Sequence, residues 1–146
     1  MKKRIEKLDT NSLDWKEAAP GMGLYVKILS QDDDTGAITR LLLLKKGFNN
    51  HHEEARLALE EGFVISGKLR EGLATESPIE FGSGSYYVRT PGTVHGPAEA
   101  IEDTVLLQTV DRGANLLISP VFWQCNSCKA RTVTELDTCS GCGRHR

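Results

Sequence analysis

No cysteine occurs before Cys125, and no apolar run in the 146 residues approaches the roughly 20 residues that span a bilayer. Aromatic residues make up only 6% of the chain. Neither sign of charge dominates, with 18 Lys and Arg against 20 Asp and Glu and a formal net charge of −2, which argues against a polyanion-binding protein. The start, Met1-Lys2-Lys3-Arg4, is basic but runs into Ile5-Glu6-Lys7-Leu8-Asp9 rather than an apolar stretch, so no secretory signal is expected. Without cysteines spread along the chain there is no disulfide framework, and a reducing, cytoplasmic setting is expected. A hydrophobic content of 39% suits a compact domain of modest core. The length allows one domain, or one domain with a small appendage. No internal repeat or low-complexity segment is present.

The four cysteines that do occur are Cys125, Cys128, Cys139 and Cys142, two C-x-x-C pairs with ten residues between them. Each pair forms a knuckle offering two thiolates to one ion, and two knuckles complete a tetrahedral sulfur shell with bonds of about 2.3 Å to zinc. Gly143 follows the second knuckle, where a positive φ turns backbone N–H groups toward sulfur; Lys129 takes that place in the first. Disulfides or redox thiols are the competing readings of these cysteines, and ligand type does not cleanly separate zinc from a lone iron. So short a tail cannot build its own core, and structural Zn2+ would supply its folding energy. From Val121 onward the bases Lys129, Arg131, Arg144 and Arg146 exceed the acids Glu135 and Asp137 by +2, which zinc with four thiolates cancels. No strong phosphate-binding term results, so nucleic acid is not an expected partner. Docking to a protein partner or stabilising a dimer is the expected role of this unit.

Upstream, the pattern is of short strands. Leu24–Leu29 alternates, Gln31–Gly36 has hairpin-turn composition, and Ile38–Leu44 reads as a strand buried on both faces. Residues 1–14 read as a lead-in or edge strand. Asn49–Glu61, containing EEARLALEE, is expected to be a loop or one short helical turn. Gly62–Ser66, continued toward a turn by Gly67-Lys68-Leu69, and Ser85–Thr90, Thr104–Val110 and Leu116–Trp123 are further strands, with turns at Glu80–Gly84 and Asp111–Asn115. Pro120 makes the last strand an edge or a bulge. Many short strands with little helix point to an all-β sandwich or barrel.

One stretch organises the rest. Gly84–Pro97 reads GSYYVRTPGTVHGP, a strand running into Pro91-Gly92 with the lone imidazole of His95 just beyond. Proline holds its own φ and keeps its predecessor extended, and glycine permits the tight turn. His95 is therefore presented from a rigid corner. Upstream lie His51 and His52, then Glu60 and Glu61 ahead of Phe63-Val64-Ile65. Three imidazoles and a carboxylate from two strand ends suit one divalent metal, with a 2-His or 3-His plus carboxylate shell. Adjacent strand residues face opposite ways, so His51 and His52 reach one ion together only on an irregular segment; otherwise one ligates and the other faces solvent. On the strand before His95, either Tyr86 and Val88 or Tyr87 and Arg89 face inward. Tyr87 and Arg89 are the candidate substrate contacts, and an inward Arg89 would suit an anionic substrate.

These residues resemble the two motifs of the cupins. Glu60, six residues and Gly67 resemble the end of the first motif, and Gly84 through Pro91-Gly92 to His95 resembles the second. The segments DTGAITRLLLL and PGTVHGP resemble the ChrR-like branch, and the resemblance spans Trp15–Asp111. The first motif departs from the pattern, because its histidines are adjacent and seven residues separate His52 from Glu60. The resemblance implies a double-stranded β-helix, the cupin jelly-roll barrel, over residues 1–120; the cysteines beyond it separately resemble a zinc ribbon with rubredoxin-type knuckles, over 121–146. It implies a barrel metal on His51, His52, Glu60 and His95, with Glu60 preferred to Glu61 by its spacing to Gly67. Glu53 and Glu54 are reserve ligands. The ion would be Fe2+, alternatively Zn2+, Mn2+ or Ni2+. The activity implied is that of a dioxygenase-like enzyme acting on a small organic acid or diketone-like compound. The alternative is a non-catalytic module that senses a metal or metabolite and docks a partner through its ribbon. A homodimer is expected, since cupins commonly pair through exposed strand edges.

Overall fold

In β3 (Ile38–Leu44) the residues Arg40, Leu42 and Leu44 share one face by strand alternation, and that face defines the interior. The computed structural model describes residues 1–73, 75–113 and 116–146. It is nearly all β: after a 3-10 turn at Thr10–Ser12 come β1 (Lys16–Ala19), β2 (Leu24–Gln31), β3, β4 (Glu54–Arg56), β5 (Glu60–Ser66), β6 (Lys68–Glu71), β7 (Ile79–Gly82), β8 (Tyr86–Arg89), β9 (Ala98–Ala100), β10 (Thr104–Val110), β11 (Leu116–Ile118), β12 (Phe122–Gln124) and β13 (Arg131–Val133). A six-stranded sheet runs β1-β2-β3-β10-β5-β8, facing a three-stranded sheet β7-β6-β9 and the pair β11-β4; β12 and β13 form the C-terminal hairpin. Their inward faces enclose a core of Leu42, Leu44, Phe48, Val64, Leu69, Ala100 and Leu106. The arrangement is the double-stranded β-helix expected of the sequence, carrying the small cysteine unit at its end.

β3 and β10 have the bounds the sequence predicts. Three expectations are corrected. Of Asn49–Glu61, expected to be a loop or one short helical turn, most of the stretch before β5 is loop, but Glu54–Arg56 is a strand. Pairing of β4 with β11 buries Ala55 between barrel and tail, and packing overrides helical propensity. The predicted strand Leu116–Trp123 is two strands, β11 and β12, broken where Pro120 cannot donate and Ser119 takes φ 47°. The turn expected at Glu80–Gly84 is largely β7, and the segment expected to lead from Gly67 toward a turn is β6. The turn expected over Asp111–Asn115 lies partly outside the described residues.

Register then places the chemistry. Arg40, Gln108, Gly62 and Tyr87 lie on one rung across β3, β10, β5 and β8, and the next rung pairs Glu60 with Arg89. Gly62 is required there: a Cβ at this position would sit 2.3 Å from Tyr87 Cζ, so its absence lets the phenol lie across β5 toward β10.

Candidate metal centres

The barrel encloses a cavity of about 320 Å³ lined by Leu42, Leu44, Phe48, Leu69 and Leu106 together with the polar groups Arg40, His52, Glu54, Arg56, Glu60, Glu71, Tyr87, Arg89, His95 and Gln108. Tyr87 and Arg89 face inward while Tyr86 and Val88 are exposed, which decides between the two alternations left open by the sequence. Arg89 donates to Glu60 Oε1 at 2.6 Å and to Glu71 Oε2 at 2.5 Å, and Arg56 Nε lies 3.4 Å from Glu60 Oε2. Tyr87 donates to Glu60 Oε1 at 3.2 Å and lies beneath the Arg89 guanidinium, 4.1 Å from ring centroid to Cζ.

One guanidinium thus sits between two buried carboxylates. Burial alone would raise the Glu71 pKa, but the hydrogen bond from His95 and the Arg89 charge outweigh it and hold Glu71 at about 2. Burial likewise opposes ionisation of Glu60, and the Arg89 and His95 charges again bring it below the usual carboxylate range. Burial pushes the Tyr87 phenol up to about 12, so it stays protonated and donates. Breaking such a buried pair by removing one partner costs about 3–5 kcal/mol.

His95 leaves the segment after Pro91-Gly92 and exchanges both backbone hydrogen bonds with Glu54, at 2.8 and 2.9 Å. Directly opposed antiparallel residues project to the same face, so both side chains enter the cavity. Glu54 lies 3.6 Å from His52 Nε2 and 3.9 Å from His95 Nδ1. Glu71 Oε1 holds His95 Nδ1 at 2.7 Å, a carboxylate–imidazole contact that fixes ring orientation. His51 is exposed, with φ 59°, and is absent from the cavity lining. The histidine pair therefore splits, one imidazole in and one out.

Of the expected barrel shell, the structure brings His52, Glu60 and His95 to one cavity and leaves His51 outside it. Glu60 is already engaged by Arg89 and Arg56, so the carboxylate placed between the imidazoles is Glu54, which the sequence offers only as a reserve. Two imidazoles and one carboxylate make a chemically suitable donor set for a divalent ion. The 3.6 and 3.9 Å separations run to different oxygens of Glu54, and because Glu71 holds His95 Nδ1, His95 would offer its Nε2 to an ion. Among the described residues the barrel donors are not drawn within 4.8 Å of one another as the cysteines are. His52, Glu54 and His95 are the residues that would hold it.

The cysteine unit is drawn tighter. Among the described residues, Cys125, Cys128, Cys139 and Cys142 are the group whose donor atoms all lie within 4.8 Å of one another. Cys125 and Cys142 Sγ are 3.8 Å apart and Cys128 and Cys139 Sγ 3.4 Å apart, near the roughly 3.8 Å edge of a tetrahedron with 2.3 Å bonds. The site is compatible with a zinc ribbon. Both knuckles close with one geometry: Lys129 N–H donates to Cys125 O at 2.9 Å with φ 64°, and Gly143 N–H to Cys139 O at 3.0 Å with φ 72°. Burial raises the Cys139 thiol pKa, but N–H groups of Cys142 and Gly141 outweigh it and favour the thiolate.

This unit is joined to the barrel at the segment carrying His95. Val94 N–H donates to Arg131 O at 3.2 Å, and Val133 N–H donates to Gly92 O at 3.1 Å. Arg131 binds Glu53 at 2.5 Å, and Thr90 donates to Ser140 O. Ala55, Val94 and Val133 form a second core with Leu117 and Leu136 around it. A Cβ at Gly92 would lie 2.5 Å from Leu136 Cδ1, so that glycine serves the join as well as the turn. The hairpin β12-β13 thus continues a strip that runs through residues 93–95 and β4 to β11.

Residues 4–114 match the ChrR Cupin-like domain, and the chain belongs to that family of cupins. No curated protein matches the sequence. Among solved structures, a putative acetylacetone dioxygenase from Methylibium petroleiphilum PM1 superposes with a TM-score of 0.67 at 15% identity, over 78% of this chain and 81% of that one. An RmlC-like cupin from Ralstonia eutropha JMP134 gives 0.65 at 22% identity, over 79% and 72% of the two chains. The polyketide cyclase RemF from Streptomyces resistomycificus gives 0.62 at 13% identity, over 83% and 88%. These likenesses are of fold. Among the described residues no helix is long and apolar enough to cross a membrane.

Proposed function

We propose that the protein is a metal-dependent cupin enzyme, dioxygenase-like and using Fe2+, that acts on a small organic acid or diketone-like compound. The observation that carries this reading is the placement of His52, Glu54 and His95 on one wall of a cavity whose remaining lining is largely apolar. When bound, a divalent iron there would supply the O2 chemistry of a 2-His-carboxylate site. The chain's own residues do the rest. Glu71 holds the His95 ring at Nδ1, and the leucines and Phe48 exclude water from an apolar substrate body. The protonated Tyr87 is oriented by its hydrogen bond to Glu60. A dioxygenase-like neighbour of the same fold supports the reading without assigning a substrate.

The test is the metal content of aerobically purified protein, followed by O2 uptake with a panel of small acids and diketones. Redox-active iron with uptake is the expected result; zinc alone in both sites, with no uptake, overturns it. A second reading, a non-catalytic sensor, is favoured by the direct bonds between the ribbon and the His95 segment. Metabolite binding without turnover would establish it. The division into barrel (1–120) and ribbon (121–146), cytoplasmic residence and a homodimer belong to the same proposal. Support for the dimer comes from the edge strand β8, with Tyr86 and Val88 exposed beside Phe63 and Ile65 of β5. Light scattering tests it.

A further inference from the structure

Arg89, the cation expected to greet an anionic substrate, is fully occupied by Glu60 and Glu71. Arg40 is different. Its Nε donates to Gln108 Oε1 at 2.8 Å, which fixes the guanidinium plane, and among the described residues no carboxylate lies within ion-pair distance of it. Gln108 is itself buried and held at its other end, its Nε2 donating to Tyr87 Oη at 3.5 Å. A continuous polar chain therefore crosses the cavity from His95 through Glu71, Arg89, Glu60, Tyr87 and Gln108 to Arg40. Every charge along it meets an opposite one except the last. Burial and the neighbouring Arg56 charge lower the Arg40 pKa, and the more distant charges of Glu60 and Glu54 offset this only in part.

Beside this polar chain the cavity lining is largely apolar. Leu42 and Leu44 follow Arg40 on the same face of β3, and Phe48, Leu69 and Leu106 complete the wall. The cavity volume of about 320 Å³ is at the small end for ligand pockets, which run from about 300 to 1,000 Å³. A guanidinium with two terminal nitrogens free to donate is suited to a planar carboxylate.

We propose that Arg40 is the anion receptor of this cavity, binding the carboxylate of a small monocarboxylic acid whose apolar body packs on Leu42, Leu44, Phe48, Leu69 and Leu106. This deepens the enzyme reading by naming the charged end of the ligand, and it rests on that reading only for the use of the cavity as the ligand site. The ligand's charge then lies at the opposite end of the polar chain from His95. Arg40 is a specificity-determining residue, favouring monoanions over neutral isosteres.

The test uses benzoate and its neutral isostere benzamide, titrated calorimetrically into the full-length protein. The expected result is that benzoate binds at least about tenfold more tightly than benzamide, as a hydrogen bond to a charged group requires. Arg40→Gln should remove that preference while leaving benzamide binding unchanged. Arg40→Lys keeps the charge, guards against loss of folding, and should retain part of the preference. Thermal melts of all three proteins check the fold. Equal benzoate affinity in Arg40→Gln and the parent, or binding of neither probe, overturns the proposal. Repeating the titration on His95→Ala separates this claim from the enzyme reading. Benzoate binding that needs His95 and ignores Arg40 overturns the receptor and leaves the metal site standing. Arg40-dependent binding with no O2 uptake for any acid removes the enzyme reading and leaves the receptor standing.

Discussion

The two candidate metal centres are built on different plans. In the ribbon, four sulfurs come from two short knuckles within one hairpin unit and already lie at near-tetrahedral separations. In the barrel, His52 and Glu54 come from one segment and His95 from another some forty residues on, and they share their cavity with arginines that bind the other carboxylates. The ribbon has one use for its donors. The barrel divides its acids between charge balance and ligation, and sequence spacing alone does not say which acid does which.

The largest expected effect tests the ribbon half of that contrast. Cys139→Ser removes one thiolate from a site that, loaded with zinc, would supply the roughly 10–16 kcal/mol seen in isolated zinc units toward folding of the unit. Elemental analysis should show one zinc fewer per chain. Hydrogen exchange should show loss of protection at the Val94 and Val133 amides, which bridge ribbon and barrel. Persistent protection at Val94 would mean that the join stands without the metal.

Next comes the division of labour among the barrel acids. Glu60→Ala removes one of the two carboxylates that balance the buried Arg89 and should cost up to about 3–5 kcal/mol in denaturant unfolding. Glu54→Ala should cost far less stability but abolish or strongly weaken metal binding at the barrel, read by titration with Fe2+ or a Co2+ substitute. Metal loss in Glu60→Ala with retention in Glu54→Ala would return Glu60 to the shell. His51→Ala should change neither quantity, because its ring lies outside the cavity.

A smaller effect concerns pH. Glu71 is held at about 2 against an ordinary 4.5, so its contribution to stability is complete above 4.5 and is lost as pH falls toward 2. Unfolding midpoints measured between these limits should decline more steeply for the parent than for Glu71→Gln. Equal slopes would place the acid sensitivity elsewhere. The smallest effect sharpens the ribbon: Lys129→Gly relieves a left-handed residue and should raise ribbon stability by about 1 kcal/mol or less, measured by competition with a zinc chelator.

Much of the fold is legible in the sequence because its signals are local. The C-x-x-C pairs, the alternation of β3 and β10, and the proline-glycine corner before His95 all act over a few residues. Misreadings arise where distant pairing decides. β4 is obscured because EEARLALEE carries helical propensity, and only its pairing with β11 and His95 makes it extended. That hides Glu54 as the residue opposed to His95. Glu71 escapes notice because β6 reads as leading into a turn, although alternation from Leu69 aims Glu71 inward. Arg40 is hidden inside a leucine run, yet it shares a face with Leu42 and Leu44. Period two is the signal available for both. The use of Glu60 to neutralise Arg89 is beyond reach, because it depends on the register of β5 with β8.

The attachment of the last strand to Gly92 and Val94 also sets a timetable. The chain emerges from the ribosome N-terminus first at about 5–20 residues per second, and Val133 follows Val94 by 39 residues. For roughly 2–8 seconds of each synthesis the segment bearing His95 has no neighbour on its outer side. Its backbone donors and acceptors are exposed in that interval as an open strand edge, the kind that captures other chains. A message truncated after β11 would make that exposure permanent. The strand β13 therefore acts as a stopper, and newborn chains are most vulnerable just before it arrives.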